Sequence, residues 1–289
     1  MRDFVILTDS CCDLPAALAD ELGVVVLPLT LTLGENSYKN YLDGREIGFK
    51  EFYDGIRGGT MPTTSAVSVG QFEEAMRPAL AEGRDVLCLN FSASLSATYQ
   101  SACIAADGLR EEFPEAAIHV LDTCCASLGQ GLLIYLCAQQ QKAGKSVDEV
   151  LAYAKETAPH VAHWVTVNDL FHLKRGGRVS AATAVVGTML SIKPIIYVNE
   201  EGKLISVGKA RGRKASLLAV VDELEKRLID PSNPVFISHG DCEEDAKFVA
   251  EEVEKRTGAK TLVINYVGPV IGSHTGAGVI ALCFLGKER

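Results

Sequence analysis

Hydroxyl side chains gather in four clusters of this sequence: Thr8-Asp9-Ser10, Thr60-Met-Pro-Thr-Thr-Ser-Ala-Val-Ser68, Ser92-Ala-Ser-Leu-Ser-Ala-Thr98, and Asp122-Thr123 with Ser127. Loops outside the carboxyl ends of parallel strands, and the helix starts that follow them, offer amides and hydroxyls to an anion. A helix start uses one hydroxyl as its N-cap, so any single Ser or Thr here reads first as a cap. Ser92, Ser94, Ser96 and Thr98 together exceed what one helix needs. A fifth signal is Gly268-Pro-Val-Ile-Gly-Ser-His-Thr-Gly-Ala-Gly278, where four glycines let the backbone approach a partner closely and His274 sits between two hydroxyls. Arg178 follows Gly176-Gly177, and Lys209, Arg211, Arg213 and Lys214 form a basic knot at an expected helix start, against the dipole. The chemistry suggested is recognition of an anion.

Catalytic motifs are scarce. Gly144-Lys145-Ser146 has Gln139 where a phosphate loop needs glycine. Cys125-Ala-Ser127-Leu-Gly129 lacks the first glycine of a nucleophile elbow, and there is no GxGxxG. His160 and His163 have no carboxylate companion of metalloprotease type, so no metal is assigned. Two other functions stay open at this point. One is a serine hydrolase using Ser96 or Ser127 with His274 and Asp9 or Asp122; the other is a phosphate- or nucleotide-binding enzyme built on helix N-termini.

The elements that must position these residues alternate. Phe4–Leu7 and Val24–Leu29 read as strands around a helix opened by Asp13 and Pro15 and closed by Gly23. Ser68 to Gln71 and Ser146 to Glu149 are capping boxes that start helices. Between them lie strands at Val86–Asn90 and Ile118–Leu121, and helices at Tyr99–Glu112 and Leu128–Ala143. Beyond residue 160 the texture changes to a strand at His163–Val167, a short helix at Asp169–Lys174 and a hairpin, Ile192–Val198 with Lys203–Lys209. A helix at Lys214–Ile229, a strand at Val235–His239, a helix at Glu243–Thr257 and strands at Lys260–Tyr266 and Val279–Leu285 complete the chain. This predicts an α/β fold: an N-terminal doubly wound, mostly parallel sheet domain over residues 1–160 and a C-terminal α+β domain over 161–289.

The 289 residues carry a net charge of −9, which opposes nucleic-acid or anionic-membrane binding by charge alone. Mean hydropathy is +0.14, yet the longest apolar run, Val279–Leu285, is far short of a membrane span. The surplus apolar surface is therefore expected inside the protein or against an apolar ligand. Phe4–Leu7 is too short for a signal peptide, so the cytoplasm is the expected compartment. Nine cysteines without CxxC spacing read as reduced, mostly buried thiols.

Taken in order, Thr8-Asp9-Ser10, Thr64-Ser65 with Ser68, Phe91 to Ala102, Asp169 to Arg178, Lys193-Pro194 and Ile271 to Gly278 resemble the DegV family, which includes the fatty-acid-binding subunits of bacterial fatty acid kinase. The resemblance implies a long-chain fatty acid in a tunnel between the two domains. Its carboxylate would be held by Thr64, Ser96 and a loop histidine, His274, with Ser92 and Arg178 close by. It further implies a carrier without catalysis or cofactor of its own, and a monomer is expected. Such a carrier presents the carboxylate to a separate ATP-dependent kinase and serves phospholipid metabolism. The basic knot at Lys209, Arg211, Arg213 and Lys214 is the expected docking face, or else steadies the transferred phosphate. Three positions depart from the family pattern: Ala66-Val67 replaces Gln-Pro, and Ala97 replaces glycine.

Overall fold

The computed structural model describes residues 2–168, 170–179 and 191–289. Its first half runs β1 (Phe4–Asp9), α1 (Ala16–Leu22), β2 (Val25–Leu27), β3 (Thr30–Leu33), β4 (Asn36–Lys39), α2 (Phe49–Arg57), β5 (Thr63–Ser65), α3 (Val69–Ala81), β6 (Asp85–Asn90), α4 (Thr98–Glu112), β7 (Ile118–Asp122), α5 (Ser127–Lys142) and α6 (Val147–Thr157). Four of these strands form a parallel sheet in the order β2-β1-β6-β7. Alternation along the strands decides which layer each residue joins. Phe4, Ile6, Leu87 and Leu89 pack toward α1, α5 and α6, while Val5, Leu7, Val86 and Cys88 pack toward α3 and α4. Helices thus cover both faces, as a doubly wound sheet requires. Both expected capping boxes are present, at Ser68 with Gln71 and at Ser146 with Glu149.

The second half runs β8 (Val161–Thr166), α7 (Phe171–Arg175), β9 (Ile192–Val198), β10 (Leu204–Arg211), α8 (Arg213–Arg227), β11 (Val235–His239), α9 (Glu243–Thr257), β12 (Thr261–Tyr266), α10 (Pro269–Thr275) and β13 (Ile280–Leu285). Its six strands form a mixed sheet, β10-β9-β8-β13-β11-β12, antiparallel except between β11 and β12. One face carries α8 and α9. The other face carries α5, whose Leu128, Leu132, Leu133 and Ile134 are fully buried between the two sheets. A helix that is apolar all round belongs in such a place. No helix among the described residues is long and apolar enough to cross a membrane.

Three features depart from the expectation. The stretch after β2, to which the sequence assigns no element before Ser68, contains an antiparallel sheet, β4-β3-β5, and helix α2. The glycine-rich segment holding His274 is helix α10, so His274 is a last-turn helical residue rather than a loop residue. Pro269 at its first position and Gly276 (φ +77°) just past its end are the usual marks of such a helix. Finally, Asp169, expected to open the short helix, lies outside the described residues.

Candidate functional site

The order β2-β1-β6-β7 reverses direction between β1 and β6, and ligands of such sheets bind outside the strand ends at that point. Asp9, ending β1, stitches the reversal together. Its carboxylate accepts from the N–H of Cys11 (3.0 Å) and of Phe91 (2.9 Å), the residue after β6. Thr8 donates to Leu89 O at 2.7 Å. The first hydroxyl cluster is therefore buried framework beneath a crevice and does not line it. Burial raises the Asp9 carboxyl to about 6.

Above this framework a cavity of about 290 Å³ lies between the parallel sheet and the mixed sheet. Its walls include Phe91 and Leu95 from the loop after β6, Val198 and Leu204 from the β9–β10 hairpin, Val270 from α10 and Ala281 from β13. No carboxylate lines it among the described residues. Polar groups gather at one end. Thr64, at the centre of β5, places its Oγ1 2.9 Å from Nε2 of His274. Ser96 adjoins them on the wall, its Oγ 2.9 Å from Thr98 Oγ1 at the start of α4. Arg178 also lines the cavity and is fixed by donating to Leu95 O (3.2 Å) and to Gly176 O.

His274 is held neutral: desolvation first, then the cations of Arg178 and Arg175, push its imidazole down to about 4. Gly176 lies flat against the ring, since a Cβ there would fall 2.3 Å from Nδ1. Nδ1 has no hydrogen-bond partner among the described residues. Arg175, which sequence reasoning did not single out, donates to Pro62 O (3.4 Å) and Ser273 O (3.2 Å). It thus ties the segment bearing Thr64 to the helix bearing His274. Two cations flanking two glycines in Lys174-Arg-Gly-Gly-Arg178 were its signal in the sequence.

Ser92 stands elsewhere. It is fully buried outside the lining, and its hydroxyl donates to Gly202 O (2.9 Å), while Ser94 donates to Glu201 O (2.6 Å). The excess of hydroxyls in this cluster therefore includes a clasp on the tip of the β9–β10 hairpin. The basic knot divides as well. Arg213 is paired with Asp245 at 2.8 Å and holds α8 to α9, and Lys214 lies over the Phe248 ring. Lys209 and Arg211 are exposed on β10.

The hydrolase constellation is not assembled. His274 meets Thr64, Ser96 meets Thr98, Asp122 accepts backbone N–H groups of Cys124 and Ala93, and Ser127 donates to Asp13. That last contact, at 2.5 Å, stands behind Ser127, which lines the cavity. Asp13 also accepts the Gly268 N–H at 3.0 Å, and burial pushes its carboxyl up to about 7. Beside it, His163 is buried and neutral, with Nδ1 2.9 Å from Val161 O and Nε2 accepting the Ala126 N–H at 3.2 Å.

Known proteins share this architecture. A DegV domain-containing protein of Clostridium perfringens is 45% identical over 290 residues, covering 100% of this chain and 99% of its own length. A Thermus thermophilus DegV family protein described as binding fatty acid has 32% identity and a TM-score of 0.87, covering 99% of this chain and 100% of that one. A Thermotoga maritima DegV lipid-binding protein has 27% identity and a TM-score of 0.86, with 99% of each chain covered. The family model described as "Uncharacterised protein, DegV family" matches residues 3–287. With that match spanning both sheets and the cavity between them, the chain belongs to the DegV family.

Proposed function

We propose that the protein carries one long-chain fatty acid in this cavity and presents its carboxylate, at the Thr64–His274 end, to a separate ATP-dependent kinase for conversion to acyl phosphate. One observation carries the reading. The cavity is walled by apolar side chains, and one end gathers hydroxyls, an imidazole and a guanidinium with no acid among its described lining. The fatty-acid and lipid binding described for the Thermus and Thermotoga relatives supports it. Burying an acyl chain is worth about 0.8 kcal/mol per CH₂, so roughly 16 carbons supply about 12 kcal/mol before ordering costs. That suffices to compete with a bilayer.

The head-group chemistry follows from the neutral imidazole. With its proton on Nε2, His274 donates to Thr64 Oγ1 and turns the Thr64 hydroxyl hydrogen toward the ligand. Ser96 adds a second hydroxyl, and Arg178 compensates the charge without a bidentate grip. Donors to a carboxylate favour its ionised, nucleophilic form. The ATP site belongs to the partner, because the chain's nearest approach to a phosphate loop fails at Gln139. Lys209 and Arg211 on β10 form the proposed docking face.

Organic extraction and mass spectrometry of the purified protein should release one fatty acid per chain. A lipid-free protein that also fails to bind added palmitate or oleate overturns the carrier reading. Lys209→Glu with Arg211→Glu should lower kinase-coupled phosphorylation of the bound fatty acid while lipid content stays at one per chain. Unaltered coupling overturns the docking face.

A further inference from the structure

We propose that the end of the cavity opposite Thr64 and His274 is a second polar subsite, which accepts a hydroxyl carried partway along the acyl chain. The ligand class then includes mid-chain hydroxylated fatty acids. This rests on the fatty-acid reading above.

The two ends are related by α10. Val267, Val270, Ile271, His274 and Thr275 all line the cavity, so the helix lies along it. At 1.5 Å per residue its ends are roughly 10 Å apart. His274 occupies its last turn, whereas Gly268, its N-cap residue, donates to Asp13. Asp13 accepts from Ser127, and Ser127 in turn lies 2.8 Å from Ser238 Oγ on β11. Of these three side chains only Ser127 reaches the cavity wall.

The hydrogen bonds define what Ser127 can offer. A hydroxyl has one hydrogen and two lone pairs. With Asp13 ionised, Ser127 commits its hydrogen to that carboxylate at 2.5 Å, and Ser238 is then the donor across the 2.8 Å Ser127–Ser238 contact, occupying one lone pair. The second lone pair is left at the cavity wall, on an oxygen made a better acceptor by the carboxyl behind it. Its complement is a donor, and an alcohol is the donor that an acyl chain can carry.

The backbone is bent to hold this arrangement. Asp13 (φ 51°) and Ser127 (φ 52°) are both left-handed, two of the four non-glycine residues in that region among the described residues, and they are hydrogen-bonded to each other. Such conformations persist only where surrounding structure over-determines them, and they cluster at ligand sites. Here Asn265 Nδ2 donates to Asp13 O at 2.8 Å and fixes the first of the pair. An extended hydrocarbon advances roughly 1.3 Å per carbon, given bonds of about 1.5 Å. The subsite therefore lies about eight carbons from the carboxylate contacts, near the middle of a long chain.

The test uses delipidated full-length protein and displacement of a fluorescent fatty acid by stearate, 2-hydroxystearate and 10-hydroxystearate. Wild type should hold 10-hydroxystearate about five- to tenfold more tightly than the other two, the gain expected of one buried hydrogen bond. Ser127→Gly suits the left-handed backbone and removes the hydroxyl. It should bring the ratio of 10-hydroxystearate to stearate affinity to about one, and Ser238→Ala should lower it partway. Equal or weaker binding of 10-hydroxystearate by wild type overturns the subsite, as does an unchanged ratio in Ser127→Gly. Failure of all three to displace the probe would instead overturn the fatty-acid reading itself.

Discussion

Thr64 and His274 are 210 positions apart in the chain and meet at 2.9 Å on the wall of the cavity between the two sheets. One belongs to a three-residue strand of the small antiparallel sheet and the other to the last turn of α10, so the pair exists only when the two halves are docked. Its electrostatics are set first by burial of the ring and then by the cations of Arg178 and Arg175.

His274 should titrate near pH 4 when followed by NMR of its ring protons, well below an ordinary histidine. Arg175→Gln removes one of the flanking cations and one tie between the two segments. The midpoint should rise, and fatty-acid affinity should fall by about tenfold, as expected for about 1.4 kcal/mol. A midpoint near 6.5 in the wild type would refute the buried neutral imidazole.

Asp13 makes the fold sensitive to pH. Its carboxyl is raised from 3.8 to about 7, chiefly by desolvation, so between these values the folded state binds more protons than the unfolded one. Stability from this group is therefore lost as pH rises through that window, by on the order of 4 kcal/mol. Asp9, raised to about 6, acts in the same direction, while His163 and His274, lowered to about 3 and 4, lose stability as pH falls below 6.5. The clean measurement is a difference: relative to wild type, Asp13→Asn should gain stability in urea unfolding on going from pH 5 to pH 7.5. A pH-independent difference would contradict it.

Gly129 inverts the usual rule for glycine in a helix. Alanine in an open helix position stabilises by about 1 kcal/mol. Here a Cβ would lie 1.9 Å from His163 Nε2, in the buried first turn of α5. Gly129→Ala should cost about 1–3 kcal/mol by overpacking. His163→Ala in the same chain should recover part of that loss, a coupling readable from a double-mutant cycle.

Arg213 and Arg211 should separate by effect. Arg213→Ala breaks a partly exposed ion pair with Asp245 and should cost up to about 1 kcal/mol in thermal unfolding. Arg211→Ala, on the exposed edge of β10, should leave unfolding unchanged.

Much of the layer order was legible because its signals are local. Capping boxes at Ser68 and Ser146, Gly23 in the left-handed region after α1, and the apolar runs of β1, β6 and β11 announce themselves within a few residues. The sheet β4-β3-β5 did not, because strands of three or four partly exposed residues carry too little periodicity. α10 was hidden by its glycines: Gly272 sits in the helix because a Cβ there would meet Phe52 and Tyr53 at 2.7 Å. Neighbours 220 positions away impose that requirement, and no local window contains them.

By itself the sequence determined the alternation of strands and helices, the change of texture near residue 160, and a set of hydroxyls, one histidine and one arginine suited to an anion. These follow from periodicity, capping and residue chemistry, which act over a turn or two of chain. Only the tertiary structure decided which of them share a cavity. It turned Ser92 to the hairpin clasp, spent Arg213 on Asp245, brought Arg175 to the head-group end and set Ser127 against Asp13 at the other. The reason is physical: a hydroxyl or a cation carries the same chemistry wherever it stands, and its role is fixed by the partner that packing places within hydrogen-bond distance.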